Sequence, residues 1–187
     1  MITLQEPHMG LNAEQNTKHV DMRVTRVVPR YQPAAEILDS VVAAASAIEG
    51  GRFRNLVFRC HGSPAHLFIG TGIGANHTNL FRRLRGKVDK IWFHACRVAR
   101  STPGAHLRKD GHRFCSRVAV VANCYVVAST ERQVISRDYQ LRSLPYGQID
   151  SFEGLVLTYD RSGRVSRSRR FPSTYRRSAQ EFARNPD

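Results

Sequence analysis

Short apolar runs separated by turn-forming residues recur along this chain, and their spacing predicts alternating strands and helices. Two of these runs lie at residues 56–60 and 91–95. Runs of this length are typical of strands buried in a parallel sheet. Between Pro33 and the Gly50-Gly51 pair, apolar residues recur at helical spacing instead, which predicts an amphipathic helix.

Weaker patterns predict the remaining elements, and together they indicate an α/β fold. These elements are a strand over 22–28, a short hairpin strand over 66–69, a helix around 80–84, a helix over 114–121, a strand over 125–128, and a hairpin formed by 154–159 and 164–165. Such alternation predicts a mostly parallel sheet flanked by helices and joined by right-handed crossovers. We expect one domain over 19–165, preceded by an irregular N-terminal arm (1–18) and followed by a basic, Arg/Ser-rich C-terminal tail (166–187).

Composition adds a strong positive charge to this picture. The 187 residues carry a formal charge of +14, and nearly all of it is arginine, because only four lysines are present. Such a charge favours acidic partners, among them nucleic acid, anionic membranes, inositol phosphates and acidic protein surfaces. An arginine-rich composition without any role in binding explains the same net charge, so charge alone does not assign a function.

The cysteines and the N-terminus bear on the compartment. None of the four cysteines forms a CxxC pair, which argues against a zinc ribbon or a thioredoxin-type motif, and Cys115 and Cys124 fit a core. No basic-then-apolar signal peptide opens the chain, and no apolar run approaches the ~18 residues of a membrane span. We expect a soluble protein with reduced thiols, cytoplasmic or exported without a cleaved signal peptide.

The apolar runs at 56–60 and 91–95 are each followed by a reactive side chain. His61-Gly62 follows the first run, and Cys96 follows the second. Neighbouring parallel strands end at the same edge of a sheet, so an imidazole and a thiol are expected close together there. Because only a thiolate is nucleophilic, an adjacent imidazole is what a catalytic cysteine needs.

This ordered pair, a His-Gly and an Ala-Cys at the ends of two strands, resembles the caspase-like (clan CD) superfamily of cysteine peptidases. The compact interval between them is closest to the CHAT group and to the self-cleaving peptidase domains of bacterial toxins. The resemblance covers roughly residues 54–165 and implies a three-layer sandwich. It implies Cys96 as nucleophile, His61 as general acid–base, and the N–H groups of Gly62 and Cys96 as the oxyanion hole. It calls for no metal and no cofactor, and for a protein or peptide substrate.

Two positions depart from the family's pattern. His94 stands where caspases carry a glutamine that shapes their pocket for an acidic substrate residue. Strand alternation puts His94 on the face of Cys96, so we expect it to contact substrate. The residues after Cys96 also differ from the caspase Arg-Gly pair. The sequence therefore does not assign the substrate residue preferred before the cleaved bond.

Three other interpretations compete with the peptidase. His61, His66, His94 and Cys96 are residue types that zinc binds, although their spacing matches no known pattern. A catalytically inactive caspase-like module could recognise an acidic partner or nucleic acid through its arginines. Resemblance to toxin domains also implies an inositol polyphosphate on a basic face.

Overall fold

The computed structural model describes residues 1–101, 109–133 and 143–172, and the predicted strands are present in it. Two of the three predicted helices are α-helices, whereas the one expected around 80–84 is part of a 3-10 segment. The strands are β1 (Ile2–Thr3), β2 (His8–Ala13), β3 (Val24–Val28), β4 (Phe53–Arg59), β5 (His61–Ser63), β6 (His66–Phe68), β7 (Ile73–Gly74), β8 (Val88–His94), β9 (Tyr125–Ser129), β10 (Gln148–Ile149), β11 (Gly154–Tyr159) and β12 (Val165–Phe171). The helices are α1 (Ala34–Ser46) and α2 (Gly111–Ala122), with 3-10 segments at Glu49–Gly51 and Ala75–Leu84.

Seven strands form one mixed sheet in the order β12-β11-β9-β8-β4-β2-β3. Five neighbours, from β3 to β9, run parallel, whereas β11 and β12 are antiparallel to their neighbours. The α/β class is thus confirmed, and the parallel arrangement holds for one part of the sheet only. Within that part, β4 and β8 are adjacent, as their apolar runs predicted.

One face of the sheet carries the helices and the larger core. Alternate residues of β4 and β8 point into it, and four phenylalanines meet there with ring centroids between 5.5 and 6.3 Å apart. They are Phe58 on β4, Phe81 on the Ala75–Leu84 segment, Phe93 on β8 and Phe114 on α2. Asp110 caps α2 by accepting from the Arg113 N–H at 3.0 Å. This packing fixes the ends of β4 and β8 relative to each other.

The opposite face has a smaller core and no helix among the described residues. Val57, Val127 and Val156 pack there against Leu4 and Phe152, and the β1–β10 pair covers part of them. The second helical layer of a three-layer sandwich is therefore absent from the ranges that the structure describes. Part of this face is left as an open groove.

The prediction of an irregular arm over residues 1–18 is wrong for residues 8–13. They form β2, a buried interior strand between β3 and β4. The strand was missed because polar His8 and Asn12 interrupt its apolar positions. Both are buried because they bond the following segment: His8 Nδ1 accepts from the Arg23 N–H, and Asn12 pairs with both backbone groups of Val20.

The basic tail begins later than predicted, since Val165–Phe171 forms the edge strand β12. Alternating arginines and serines suit an edge strand, where solvated charge discourages pairing with other chains. Residues 173–187 of the predicted tail lie outside the described residues. In the part of the chain that is described, no helix is long and apolar enough to cross a bilayer.

Candidate active site

His61, Gly62 and Cys96 lie at the carboxyl edge of the sheet, as predicted. His61 opens β5 one residue after β4 has ended, and Cys96 follows β8 by two residues. Arg59 and His94 are register partners across these parallel strands, and the same register continued by two residues would pair His61 with Cys96. The two reactive residues therefore leave the sheet from neighbouring positions.

Gly62 lies directly against the turn that carries Cys96. A Cβ atom at Gly62 would lie 2.8 Å from the Cys96 carbonyl oxygen and 3.0 Å from Val98 Cγ2. A side chain there would force the two segments apart, so glycine is required by close approach of backbone to backbone. Beside it, the Ala65 N–H donates to the Val98 carbonyl at 3.2 Å. The hairpin after β4 is thus docked onto the chain that carries the thiol.

The turn after Cys96 is sharp and braced from β9. Arg97 has φ 57°, a left-handed conformation that costs a non-glycine residue roughly 1–2 kcal/mol. Its N–H donates to the Glu131 carbonyl at 2.9 Å, and the Ala99 N–H donates to the Ser129 carbonyl at 3.0 Å. Strain retained by such bonds is common at functional sites.

Cys96 differs from the other three cysteines in its exposure. Cys60, Cys115 and Cys124 are buried, and burial raises the pKa of each thiol, to about 12 for Cys60 and Cys124. Cys96 is partly exposed. Its sulfur contacts the main chain of Gln133, whose N–H lies 3.3 Å away. Within the described residues its hydrogen bonds are to Gln133 and none is to His61, whose side chain is exposed.

His94, which we expected to contact substrate, lies inside the protein. The residue is on the predicted face of the strand, but it is 2 % exposed because Asp150 and Phe152 cover it. Arg59 donates to its Nδ1, and its Nε2–H donates to the Asp150 carbonyl at 3.1 Å. Since Arg59 can only donate and a carbonyl can only accept, His94 is the neutral Nε2–H tautomer.

Arg59 and Asp150 complete a buried polar cluster with His94. Arg59 is 3 % exposed, and its Nη2 donates to the Asp150 carboxylate at 3.1 Å. Burial lowers the pKa of the Arg59 guanidinium, whereas Asp150 and, more weakly, Cys60 and Cys96 raise it. Arg59 is therefore held in the interior as an ion pair with Asp150. Sequence reasoning missed this residue, although a charge inside an apolar run was a usable signal.

Lowering the pH from 6.5 toward 3 is expected to destabilise the fold through His94. Burial and the Arg59 charge lower its pKa from 6.5 to about 3. In this window the unfolded chain binds a proton that the folded chain does not. Stability is therefore complete above pH 6.5 and falls by up to about 1.4 kcal/mol per pH unit below it. Urea unfolding at pH 7, 6, 5 and 4 measures this.

The matched control is His94→Gln, because a glutamine amide can accept from Arg59 and donate to the Asp150 carbonyl without titrating. The stability difference between wild type and this variant should shrink as the pH falls. Parallel stability curves for the two proteins would contradict the assignment.

The zinc alternative finds no support in the geometry. Both ring nitrogens of His94 are already bonded within the polar cluster. Across residues 1–101, 109–133 and 143–172, no three His, Cys, Asp or Glu side chains are grouped to hold a metal ion.

Comparison of the chain with protein-family models, with curated proteins and with solved structures returned no match. Its function is therefore to be inferred from its own residues.

Proposed function

We propose that this protein is a cysteine endopeptidase of the caspase-like type, in which Cys96 is the nucleophile and His61 the general acid–base. The substrate is a protein or peptide. The observation that carries the proposal is the close approach of Gly62 to Cys96. A Cβ atom at Gly62 would lie 2.8 Å from the Cys96 carbonyl oxygen. It joins the two strand ends from which the thiol and the imidazole project.

Exposure supports the division of roles. The exposed imidazole of His61 and the partly exposed thiol of Cys96 are open to a polypeptide, whereas the thiols of Cys60, Cys115 and Cys124 are enclosed. Arg59 supplies a buried positive charge at the end of β4, two residues before His61. Its own ion pair with Asp150 keeps that charge in place.

The chemistry follows from these positions. The Cys96 thiolate attacks the scissile carbonyl carbon, a C–S bond forms, and the carbonyl electron pair moves to the oxygen. The N–H groups of Gly62 and Cys96 receive that oxyanion, and such donors are each worth about 3 kcal/mol. The C–N bond then breaks, and His61 protonates the leaving amine. Water, deprotonated by His61, cleaves the thioester and restores the thiolate.

One adjustment precedes the attack. The Cys96 sulfur is engaged with the Gln133 main chain, so it must rotate about its Cα–Cβ bond toward the incoming carbonyl. Loose geometry of this kind is common in enzymes without substrate and tightens when substrate binds.

Alkylation of the folded protein by iodoacetamide at pH 6 tests the dyad. We expect Cys96 alone to be modified, since the other thiols are buried and their pKa values are raised. In His61→Ala the rate should fall about tenfold or more, because an imidazolium partner is what keeps a cysteine ionised below neutral pH. Peptide mapping by mass spectrometry identifies the modified residue and its rate.

A suitable control is His66→Gln, which removes an imidazole from the neighbouring strand of the same hairpin. This variant should react at the wild-type rate. If Cys96 reacts equally fast with and without His61, it is merely an exposed thiol and the proposed dyad is wrong.

A further inference from the structure

An open groove lies on the face of the sheet that carries no described helix. Its volume is ≈ 980 Å³, and its floor is formed by side chains of the sheet and of Phe152. The groove lies near the amino ends of β4, β8 and β9, whereas Cys96 lies beyond the carboxyl end of β8. Along β8 the lining residue nearest to Cys96 in sequence is Trp92, four positions before it, and neither Cys96 nor His61 lines the groove. The groove is therefore separate from the proposed active site.

The walls of the groove are strongly basic. Six cationic side chains line it, and they are Arg52, Arg54, Lys90, Arg161, Arg167 and Arg169. Asp89 is the one carboxylate among the described lining residues, and it pairs with Arg52 at 3.2 Å. Five positive charges are left without a carboxylate in the groove itself, and such a surface favours a polyanionic ligand.

Three of these cations lie over aromatic rings. Lys90 Nζ is 5.4 Å from the ring centroid of Trp92, and the guanidinium carbons of Arg161 and Arg169 are 5.6 Å from Tyr125 and 4.7 Å from Phe171. Trp92 is stacked on Phe152 at 6.3 Å and 20°. It also donates from Nε1 to Asn55 Oδ1 at 2.8 Å, so its ring is held as a rigid surface.

We propose that this groove binds single-stranded nucleic acid. A strand with unstacked bases needs both features at once: cations for its phosphates and ring faces for its bases. An acidic protein segment would use the cations and leave the rings without a role. The proposal is independent of peptide cleavage, because neither Cys96 nor His61 lines the groove.

Trp92 makes the test specific, because it is the only tryptophan of the chain. The full chain is titrated with 15-mers of oligo-dT and oligo-rU, following tryptophan fluorescence and the anisotropy of a labelled oligonucleotide. We expect quenching that tracks binding. The plot of log affinity against log salt should have a slope of about −0.7 for each phosphate contacted. Comparing the two oligonucleotides separates DNA from RNA preference.

Variants on β12 locate the contacts. Joint replacement R167Q/R169Q should reduce the salt slope by about 1.4, and Phe171→Leu should weaken binding about tenfold. Arg170→Gln is the matched control, because Arg170 follows Arg169 on the same strand, is exposed and does not line the groove. Its affinity and slope should equal those of the wild type.

Three results would overturn the proposal. One is binding of oligonucleotides without tryptophan quenching. Another is binding of poly-glutamate with the same affinity and slope as oligo-dT and no effect of Phe171→Leu, which would assign the groove to an acidic protein. The third is a dimer, detected by sedimentation, in which Trp92 is buried. That result would assign the groove to a second copy of the chain.

Discussion

Replacing Cys96 by alanine is expected to abolish peptide-bond cleavage, with a loss of about a million-fold in kcat. No other described thiol can substitute, since Cys60, Cys115 and Cys124 are buried. His61→Ala should lose nearly as much, because nucleophile and base act as one unit and their effects are not additive. Cleavage of a proteome-derived peptide library, read by mass spectrometry, measures both losses, because the library samples many candidate substrate sequences at once.

Cys60→Ala provides the control for this experiment. Cys60 precedes His61 in the chain but is 6 % exposed and belongs to the helix-side core, so its removal should leave cleavage intact. The urea midpoint of unfolding of all three variants should stay close to that of the wild type, so that a loss of cleavage does not reflect a loss of fold. Cleavage that survives in Cys96→Ala would end the peptidase interpretation, whatever the groove binds.

Asp150→Ala is expected to cost about 3–5 kcal/mol of unfolding free energy. The substitution leaves the Arg59 guanidinium, which is 3 % exposed, without its anionic partner. Arg59 Nε already lacks a hydrogen-bond partner among the described residues, and the substitution would remove the partner of Nη2 as well. Urea unfolding at pH 7 measures the loss as a lower midpoint with an unchanged slope.

Asp39→Ala is the matched comparison, because Asp39 also forms a single ion pair with an arginine, Arg83, at 2.7 Å. The Asp39 side chain is 60 % exposed, and surface pairs of this kind contribute only about 0–1 kcal/mol. Equal losses of unfolding free energy in the two variants would show that the buried Arg59–Asp150 pair stabilises the fold no more than a surface pair does.

The elements around the site were largely predictable from local pattern. Leu56, Phe58, Ile91 and Phe93 alternate within apolar runs, and such runs can be satisfied only inside a sheet. Helix α1 followed from apolar positions at helical spacing after Pro33. The hairpin of β11 and β12 followed from its Asp-Arg-Ser-Gly turn.

Elements with polar sequences were not predictable in this way. Strand β2 reads as a loop because His8 and Asn12 are polar, and their burial depends on partners in residues 20–23. His94 was placed on the correct face, but its burial was not predicted. Whether that face meets solvent depended on Asp150 and Phe152, far along the chain.

The sequence by itself determined the α/β class, the two apolar strands and the positions at which a thiol and an imidazole leave them. Each of these depends on neighbouring residues, and side-chain alternation is a local property. Only the tertiary structure decided which faces are closed. It buried His94 in a cluster with Arg59 and Asp150, seated Gly62 against the Cys96 carbonyl, and left basic and aromatic side chains around an open groove. Those outcomes depend on contacts between residues distant in sequence, and no local pattern encodes them.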